Sequence, residues 1–584
     1  MKNLLQIFDE KLKNILTILN FSFEEKKDVV KNSDRPDLSD FQCNEALRLA
    51  KQEGKNPREI AQQIAEKLKD DKDIESISID GPGFINIKVS PELLTKQLDQ
   101  ISNDKKLGFS KEKNYKLVID FSSPNIAKPL HVGHLRSVIG ESLKRIMRFA
   151  GDEIIGDNHL GDWGKPYGLT IALLKDKEAN LPYFDENFNG KYPEECPVTI
   201  KDLEELYPAA STRSKEDEEF NNIALEITRD MQYGHKGYRA LLKHFRNITI
   251  EDLKTTYKDL DISFDTWYGE SFYNDMAIDM IKDLESKGFL KLDNGAKIIE
   301  LKTDEDKKEM PPIIMEKSGG GIMYGSTDMA GVKFRLEDEK ADGFLILTDN
   351  RQGIHFEQVF RASEKIGLLK PENIYEHIAF GTVNGKDGKP FKTRDGGTMK
   401  LKDLIQETKD KVLELLKDRD TKGEDKNELA RKIGMSALKF ADMSNDIKSG
   451  YVFDLDKFIS FEGKTGPYIL YSYVRLNSIL NKIKNIDSTG KLQDFTNKSE
   501  RDLMLHMTKA PEAVTKAYNS RSPHHLCEFI YELCQKFSKF YSECHITNET
   551  DEKLKSHRIA ILKIVKKEIE TIGNLIGLEF VKVM

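Results

Sequence analysis

The chain has 584 residues, of which 38% are hydrophobic and 33% charged, so we expect about two to four domains, each with its own core. This composition excludes a mainly disordered chain, and the net charge of −8 excludes a protein coated uniformly with positive charge for nucleic acid. The five cysteines form no CxxC pair and no run of about 18 apolar residues occurs, so we expect reduced thiols, no structural zinc, no membrane span and a cytoplasmic location.

The N-terminal part of the chain is predicted to form a small α+β module over residues 1–105. Residues 46–68 carry apolar side chains at helical spacing, and residues 74–89 alternate about the turn Gly81-Pro82-Gly83. A polar stretch at residues 102–114 then separates this module from a second domain. We place that second domain at residues 106–445.

The second domain has the sequence pattern of a nucleotide-binding fold. A short β-branched run, Lys116–Phe121, is followed by a polar loop, by His131-Val132-Gly133-His134 and by a helical pattern that ends at Gly151. Residues 343–348 and 377–383 predict further strands beside helical stretches, and residues 181–246 look like a helical insertion. These features predict a doubly wound, Rossmann-like parallel sheet within a multidomain α/β protein.

The two histidines of this motif are candidate ATP-binding and catalytic groups. His131 and His134 stand at a predicted helix start, where free backbone N–H groups attract phosphate, and Gly133 leaves room for a nucleotide near the backbone. Such donors can stabilise the charge on the α-phosphate of ATP while pyrophosphate leaves. The alternative is a pair of ordinary histidines at a helix start. The strand before the motif and the amphipathic helix after it favour the functional interpretation.

From Ser436 onward the strand signals fade, and long helical patterns appear at residues 468–483, 523–540 and 553–576. These predict an all-α bundle over residues 446–584. Within it, Tyr468, Tyr471 and Arg475 fall on one helix face, which suits either the stacking of unpaired RNA bases or the packing of the bundle core.

Residues 122–137 resemble the signature segment of arginyl-tRNA synthetases, which is longer than the HIGH motif of class I aminoacyl-tRNA synthetases in general. The resemblance continues, in the family's order, through residues 158–164, Gly269-Glu270-Ser271, Tyr324 with Asp328, Arg351-Gln352 with His355, and residues 463–475. It implies that the protein activates L-arginine with ATP, bound with Mg²⁺, to arginyl-adenylate. The arginine would then be transferred to the 3′ end of an arginine-specific tRNA.

The resemblance also implies an arginine pocket made of Ser123, Asn125, Glu270, Tyr324, Asp328 and Gln352. A guanidinium offers five donors in a planar fork and no acceptor, so a selective pocket needs carboxylate, hydroxyl or amide oxygens in fixed directions. Glu270 and Asp328 would together offset the cationic ligand, one near its side chain and one near its α-amino group, in an order that the sequence leaves open.

The chain departs from many class I synthetases because it contains no Lys-Met-Ser-Lys-Ser string. Many members of the family lack the full motif and have instead a lysine just before HIGH, which Lys128 matches, and Lys128 is therefore a further catalytic candidate. Lys392 and Arg394, at the corresponding place in the chain, are equally well explained as phosphate ligands or as exposed loop charges. A site short of mobile positive charge also fits the family's requirement for bound tRNA during activation.

For the bundle, the resemblance favours RNA binding and implies an anticodon surface that includes Tyr468, Tyr471, Arg475 and the chain end at Met584. The N-terminal module is implied to touch the tRNA elbow, and we expect a monomer. The alternatives are a cysteinyl or glutamyl synthetase, a small nucleotidyltransferase and a non-catalytic RNA-binding relative. A cysteinyl enzyme would need zinc-ligand cysteines, a small nucleotidyltransferase would lack the helical tail, and a non-catalytic relative would be expected to have lost the motif residues.

Overall fold

The computed structural model describes residues 2–308, 310–389, 391, 399–483, 490–493 and 495–584. Two of the candidate phosphate ligands, Lys392 and Arg394, lie outside the described residues. Within the described ranges, no helix is long and apolar enough to cross a membrane.

The N-terminal module combines four helices with one antiparallel sheet. Its elements are α1 (Leu4–Ile18), β1 (Val30–Asn32), β2 (Phe41–Cys43), α2 (Glu45–Glu53), α3 (Pro57–Leu68), β3 (Ile74–Asp80), β4 (Phe84–Val89) and α4 (Pro91–Asn103). The strand order is β1-β2-β4-β3. The helical pattern of residues 46–68 becomes two helices, because Gly54 adopts a φ of +63° and Pro57 begins the second one.

The central part of the chain alternates strands and helices as the sequence predicts. Its elements are β5 (Lys116–Phe121), α5 (Ser137–Ala150), β6 (Glu153–Asp157), α6 (Lys165–Lys177), α7 (Ile200–Glu216), α8 (Glu218–Gln232), α9 (Lys236–Asp259), α10 (Glu270–Ser286), β7 (Lys291–Asp293), β8 (Ala296–Ile299), β9 (Ile313–Glu316), α11 (Tyr324–Glu337), β10 (Gly343–Asp349), α12 (Gly353–Lys365), β11 (Ile374–Phe380) and β12 (Val383–Asn384). Strands β7, β8 and β9 form a separate antiparallel sheet.

The doubly wound sheet is confirmed. Strands β5, β6, β10 and β11 pair in parallel in the order β11-β10-β5-β6. On β10, Leu345 and Leu347 join the core that contains α5, whereas Phe344 and Ile346 join a second core with α10, α11 and α12. Both faces are therefore covered by helices. The chain reverses its direction of winding between β5 and β10, and ligands of such sheets bind beyond the carboxyl ends of the strands at this switch point.

The C-terminal part is helical. Its elements are α13 (Leu401–Leu415), α14 (Lys426–Met443), β13 (Tyr451–Val452), α15 (Leu455–Phe458), α16 (Gly466–Ile483), α17 (Lys498–Met507), α18 (Ala510–Ser520), α19 (His524–Glu543) and α20 (Glu552–Leu575). The three long helical patterns of the sequence correspond to α16, α19 and α20.

The strand predicted over residues 377–383 is wrong in its bounds. Strand β11 ends at Phe380, and Val383 begins the separate strand β12, which pairs with β13 outside the main sheet. Gly381 lies at the break, where a Cβ would come within 2.5 Å of the backbone nitrogen of Gly450. This close backbone approach diverts the chain, and a sequence pattern does not reveal it.

A buried ion pair joins the N-terminal module to the C-terminal bundle. Arg501 on α17 donates to both carboxylate oxygens of Asp40, at 2.9 and 2.6 Å, and both side chains are buried. The backbone N–H of Val89 also donates to Asp40, at 2.8 Å. The carboxylate is thus held by charge-assisted hydrogen bonds from both sides of the junction.

Arg501→Ala is expected to destabilise the protein by about 3–5 kcal/mol, because it leaves the Asp40 carboxylate buried without its cation. The measurement is the first unfolding transition followed by circular dichroism. Arg35→Ala is the matched control, since the Arg35–Asp37 pair is exposed and should leave the transition in place. Equal transitions for the two variants would show that the junction does not depend on this pair.

Candidate active site

A cleft of about 700 Å³ opens beyond the carboxyl ends of β5 and β10, at the switch point of the sheet. It brings together nine of the candidate residues named from the sequence, namely Ser123, Asn125, His131, Gly133, His134, Glu270, Tyr324, Asp328 and Gln352. These residues come from segments more than 200 positions apart in the chain. The fold therefore gathers the nucleotide motif and the implied arginine pocket into one cavity.

The loop after β5 has an unusual backbone that shapes one wall of the cleft. Three of its non-glycine residues have positive φ angles, Ser122 (+83°), Ser123 (+45°) and Ala127 (+61°), and such angles are uncommon without glycine. The loop exchanges two backbone hydrogen bonds with Gly161, at 3.0 and 3.1 Å. A Cβ at Gly161 would lie 2.4 Å from the amide oxygen of Asn125. Glycine at this position therefore allows the two segments to meet.

The two histidines of the motif are held as neutral donors. The N–H of Gly133 donates to Nδ1 of His131 and the N–H of His131 donates to Nδ1 of His134, each at 3.1 Å. Burial lowers the pKa of His131, with help from Arg351 and Lys128, and burial together with His131 lowers the pKa of His134 to about 3. Each Nδ1 thus accepts from a backbone N–H, which favours the tautomer whose single ring proton lies on Nε2. In His134 a longer contact, 3.3 Å from Nδ1 to the carbonyl oxygen of His131, would suit the opposite tautomer.

Gly133 is required by its neighbour. A Cβ at this position would lie 2.9 Å from Nδ1 and Cε1 of the His131 ring. The space beside Gly133, which the sequence predicts to be open for a nucleotide, is thus also needed by the His131 ring. A larger residue here would displace the His131 ring from its hydrogen bond.

The acidic side of the cleft contains two carboxyls in different environments. Burial raises the pKa of Glu270 to about 8, and the charges of Asp328 and Asp162 act in the same direction. Burial would also raise the pKa of Asp328, but a 2.6 Å hydrogen bond to Nε2 of His355 and the charges of His355, His159 and Arg335 lower it below its usual range. Asp328 is therefore ionised, whereas Glu270 is protonated near neutral pH.

Arg335, which is not among the residues predicted from the sequence, lies close enough to Asp328 for its charge to help lower the pKa of that carboxyl. Its guanidinium donates to Asp120 at 2.6 Å and lies 3.5 Å from Asp157, and all three side chains are buried. Burial disfavours its charge, but Asp120 and Asp157 outweigh burial and raise its pKa. Arg335 stands seven positions after Asp328 on α11, and this helical spacing was an available signal.

A metal site at this point is disfavoured by Arg335. Among the described residues, Asp120, Asp157 and His159 form the one trio whose ligand atoms all lie within 4.8 Å of one another. The guanidinium of Arg335 already contacts both carboxylates. A divalent ion here would have to sit beside this fixed cation, so the residues do not fit a resident metal.

Lys128 lies at the rim and does not line the cleft. Its Nζ lies 4.6 Å from the centroid of the Tyr207 ring on α7. It is nevertheless close enough to His131 for its charge to help lower the pKa of that histidine. The structure thus places Lys128 beside the histidine motif.

The candidate RNA-binding residues of the bundle have different surroundings. Tyr468 packs edge-on against Tyr531, and the guanidinium of Arg475 lies 4.6 Å from the ring centroid of Tyr541. Tyr471 is 44% exposed, so part of its side chain is accessible to solvent. Met584 lines a second cleft, of about 360 Å³, whose walls include Lys422, Lys482 and Lys582. The structure thus separates the packed members of this set from the accessible ones.

Three family models match the chain. They are "tRNA synthetases class I (R), catalytic domain" at residues 97–455, "DALR anticodon binding domain" at residues 469–584 and "Arginyl tRNA synthetase N terminal domain" at residues 2–89. The chain belongs to the arginyl-tRNA synthetase family. This result agrees with the resemblance drawn from the motif and with the Rossmann-like fold.

Individual members of the arginyl-tRNA synthetase family match along nearly the whole chain. The arginine–tRNA ligase of Agathobacter rectalis is 41% identical and the match covers 99% of both chains. The arginine–tRNA ligase of Hyphomonas neptunium is 43% identical and the match covers 94% of both. The crystal structure of arginyl-tRNA synthetase from Plasmodium falciparum superposes with a TM-score of 0.83 at 26% identity, covering all of both chains.

The ring of His134 is expected to remain neutral, with its proton on Nε2, from pH 7 down to pH 5, because its pKa is lowered to about 3. Long-range ¹H–¹⁵N correlation spectra of histidine-labelled protein report the tautomer, and a His134→Gln variant assigns the signal. Protonation of this ring with a midpoint near its ordinary value would contradict the hydrogen-bond arrangement of the motif.

Proposed function

We propose that this protein is an arginine–tRNA ligase that forms arginyl-adenylate in the cleft and transfers arginine to tRNA. The observation that carries the proposal is the pairing of Glu270 with Asp328 in the cavity that also contains the two neutral histidines. Arginine brings two cations, its guanidinium and its α-ammonium, to two carboxyls. A neutral amino acid brings only its α-ammonium and would leave one of the two carboxyls without a cation, and lysine would present a point charge in place of a planar fork.

The first step joins the two substrates. The carboxylate of arginine attacks the α-phosphorus of ATP, and the bond from that phosphorus to the bridging oxygen of pyrophosphate breaks. The Nε2–H groups of His131 and His134 donate to phosphate oxygens as charge shifts toward pyrophosphate. In the second step a hydroxyl at the 3′ end of tRNA attacks the arginyl carbonyl, and AMP leaves.

ATP would enter this reaction with Mg²⁺. Mg²⁺ is usually bound through substrate phosphates and retained water, with few protein ligands. The buried trio beside Arg335 is a poor resident site, so the ion would be held mainly by ATP itself. The phosphate charge that remains would be met by Lys128, with Lys392 and Arg394 as further candidates.

We assign the remaining pocket roles by the same reasoning. Ser123, Asn125, Tyr324 and Gln352 all face the cleft and supply hydroxyl or amide groups that can orient arginine. The side chains of Glu270 and Asp328 would offset its two cations.

For tRNA, we propose that Tyr471 offers a stacking surface in the bundle, supported by its exposed ring. Tyr468 and Arg475 would support this surface by packing against Tyr531 and Tyr541, and Met584 would contact the tRNA from the second cleft. The N-terminal module would contact the tRNA elbow. We further propose functional divisions near residues 105 and 445, a monomeric state and a cytoplasmic location, the last supported by five cysteines that are all free.

Arginine binding at pH 7 is expected to release about one proton, because the bound cation favours the carboxylate of Glu270 over the acid. In the unliganded protein its pKa is about 8, so the acid form dominates at pH 7. The liganded pKa is lower, and arginine affinity should therefore rise from pH 6 toward pH 8 and level off above it. Calorimetric titrations in two buffers with different ionisation enthalpies measure the proton count.

Glu270→Gln supplies the control for this titration. It should abolish the proton release and weaken arginine binding roughly ten- to a hundredfold, since a charge-assisted pair is replaced by a neutral hydrogen bond. ATP binding should be nearly unchanged. Unaltered arginine affinity in this variant would remove Glu270 from the arginine pocket.

Adenylate formation is expected to require tRNA, because the phosphate site lacks a full Lys-Met-Ser-Lys-Ser loop and needs help to reach its productive geometry. We expect little ATP–pyrophosphate exchange with arginine alone, exchange when cognate tRNA is added, and near loss of exchange in Lys128→Ala. Lys177→Ala, which removes a lysine at the end of α6, is the charge-matched control. Robust exchange without RNA would refute the requirement, and a fully active Lys128→Ala would assign the missing charge to Lys392 or Arg394.

A further inference from the structure

Helix α7 of the helical insertion contacts two lysines at the mouth of the cleft. The ring of Tyr207 lies 4.6 Å from Nζ of Lys128, and the carboxylate of Glu204 lies 2.8 Å from Nζ of Lys400. Glu204 and Tyr207 are three positions apart, so they lie on the same side of the helix. The insertion therefore reaches back to the nucleotide motif through one helix face.

The two lysines lie on the two chain segments that form a short ribbon, in which Lys400 is paired with His131 and which Lys128 precedes. The N–H of Val132 donates to the carbonyl of Met399 at 2.9 Å, and the N–H of Leu401 donates to the carbonyl of Leu130 at 2.8 Å. His131 and Lys400 are bridged as antiparallel partners between these bonds. Helix α7 thus contacts one lysine on each of the two segments that meet at the first histidine.

The two contacts affect the charge of the lysine differently. Lys400 forms an ion pair with Glu204, which offsets its charge. Lys128 has an aromatic partner, and within the described part of the chain no carboxylate lies within ion-pair distance of it. A ring face attracts an ammonium through its quadrupole without neutralising it. The contact with Tyr207 therefore restricts a flexible lysine while its charge stays available to an anion.

We propose that Tyr207 is a positioning residue, whose ring holds the ammonium of Lys128 at the cleft mouth ready for the phosphates of ATP. This inference rests on the proposed function, because it assumes that Lys128 contacts the phosphates. Restricting the lysine before ATP arrives reduces the ordering that must occur during the reaction. Tyr207 acts through Lys128 and need not touch the substrate.

Substitutions at Tyr207 separate the ring face from the hydroxyl. Tyr207→Leu should lower kcat/KM for ATP in tRNA-supported exchange by roughly three- to thirtyfold, the range of a cation–π contact, and leave the KM for arginine unchanged. Tyr207→Phe and Tyr207→Trp retain a ring face and should keep most of the activity. Loss of activity in Tyr207→Phe equal to that in Tyr207→Leu would overturn the proposal.

A double-mutant cycle distinguishes positioning from general stability. In a Lys128→Ala background, Tyr207→Leu should cause no further loss. Tyr192→Leu is the control, because Tyr192 stacks on Tyr183 in the same insertion, at 5.1 Å, with an aromatic partner in place of a lysine; it should preserve the KM for ATP. If Lys128→Ala lowers exchange and Tyr207→Leu does not, this inference fails alone. If Lys128→Ala has no effect, the proposed phosphate role of Lys128 fails first.

Discussion

The architecture of the cleft depends on the contacts that the guanidinium of Arg335 makes with two buried carboxyls. The guanidinium lies between Asp120 on β5 and Asp157 on β6, and its own helix, α11, carries Asp328 into the acidic side of the cavity. The buried charges of Arg335 and Asp120 would be costly alone and are tolerated because the two groups are paired at 2.6 Å, while burial raises the pKa of Asp157. Two adjacent strands and the pocket helix are thereby fixed to one another beneath the site.

This arrangement gives the two sides of one cavity opposite electrostatic character. On the nucleotide side, His131 and His134 are kept neutral and offer N–H donors near a helix start, which suits a polyanion. On the other side, the hydrogen bond to His355 helps to lower the pKa of Asp328, so this carboxyl is ionised. The pKa of Glu270 is raised to about 8, so this carboxyl is mostly protonated at pH 7. The carboxyl group to be activated and the phosphate that activates it would meet between these two regions. Under the proposed function, this separation of charge would provide both recognition and alignment of the substrates.

Local signals made much of this site predictable, and tertiary contacts account for the rest. The motif around His131 combines a strand, a loop and a helix within a short segment, so its context could be read from the sequence. Arg335 follows Asp328 by seven positions on one helix, so it lies on the same helix face and could have been found from its spacing. The contact of Tyr207 with Lys128 could not, because it depends on an insertion folding back over the cleft. The early end of β11 likewise depends on the backbone near Gly450, far along the chain.

The most direct test of the account is ATP–pyrophosphate exchange with each of the twenty standard amino acids in the presence of total tRNA. Charge complementarity between the paired carboxyls and the substrate predicts exchange with arginine and with none of the other nineteen. Equal or greater exchange with lysine would show that the pocket recognises positive charge but does not distinguish the planar guanidinium from an ammonium. Exchange with a neutral amino acid would contradict the account, because such a substrate has only its α-ammonium to offer and the second carboxyl would have no cation to bind.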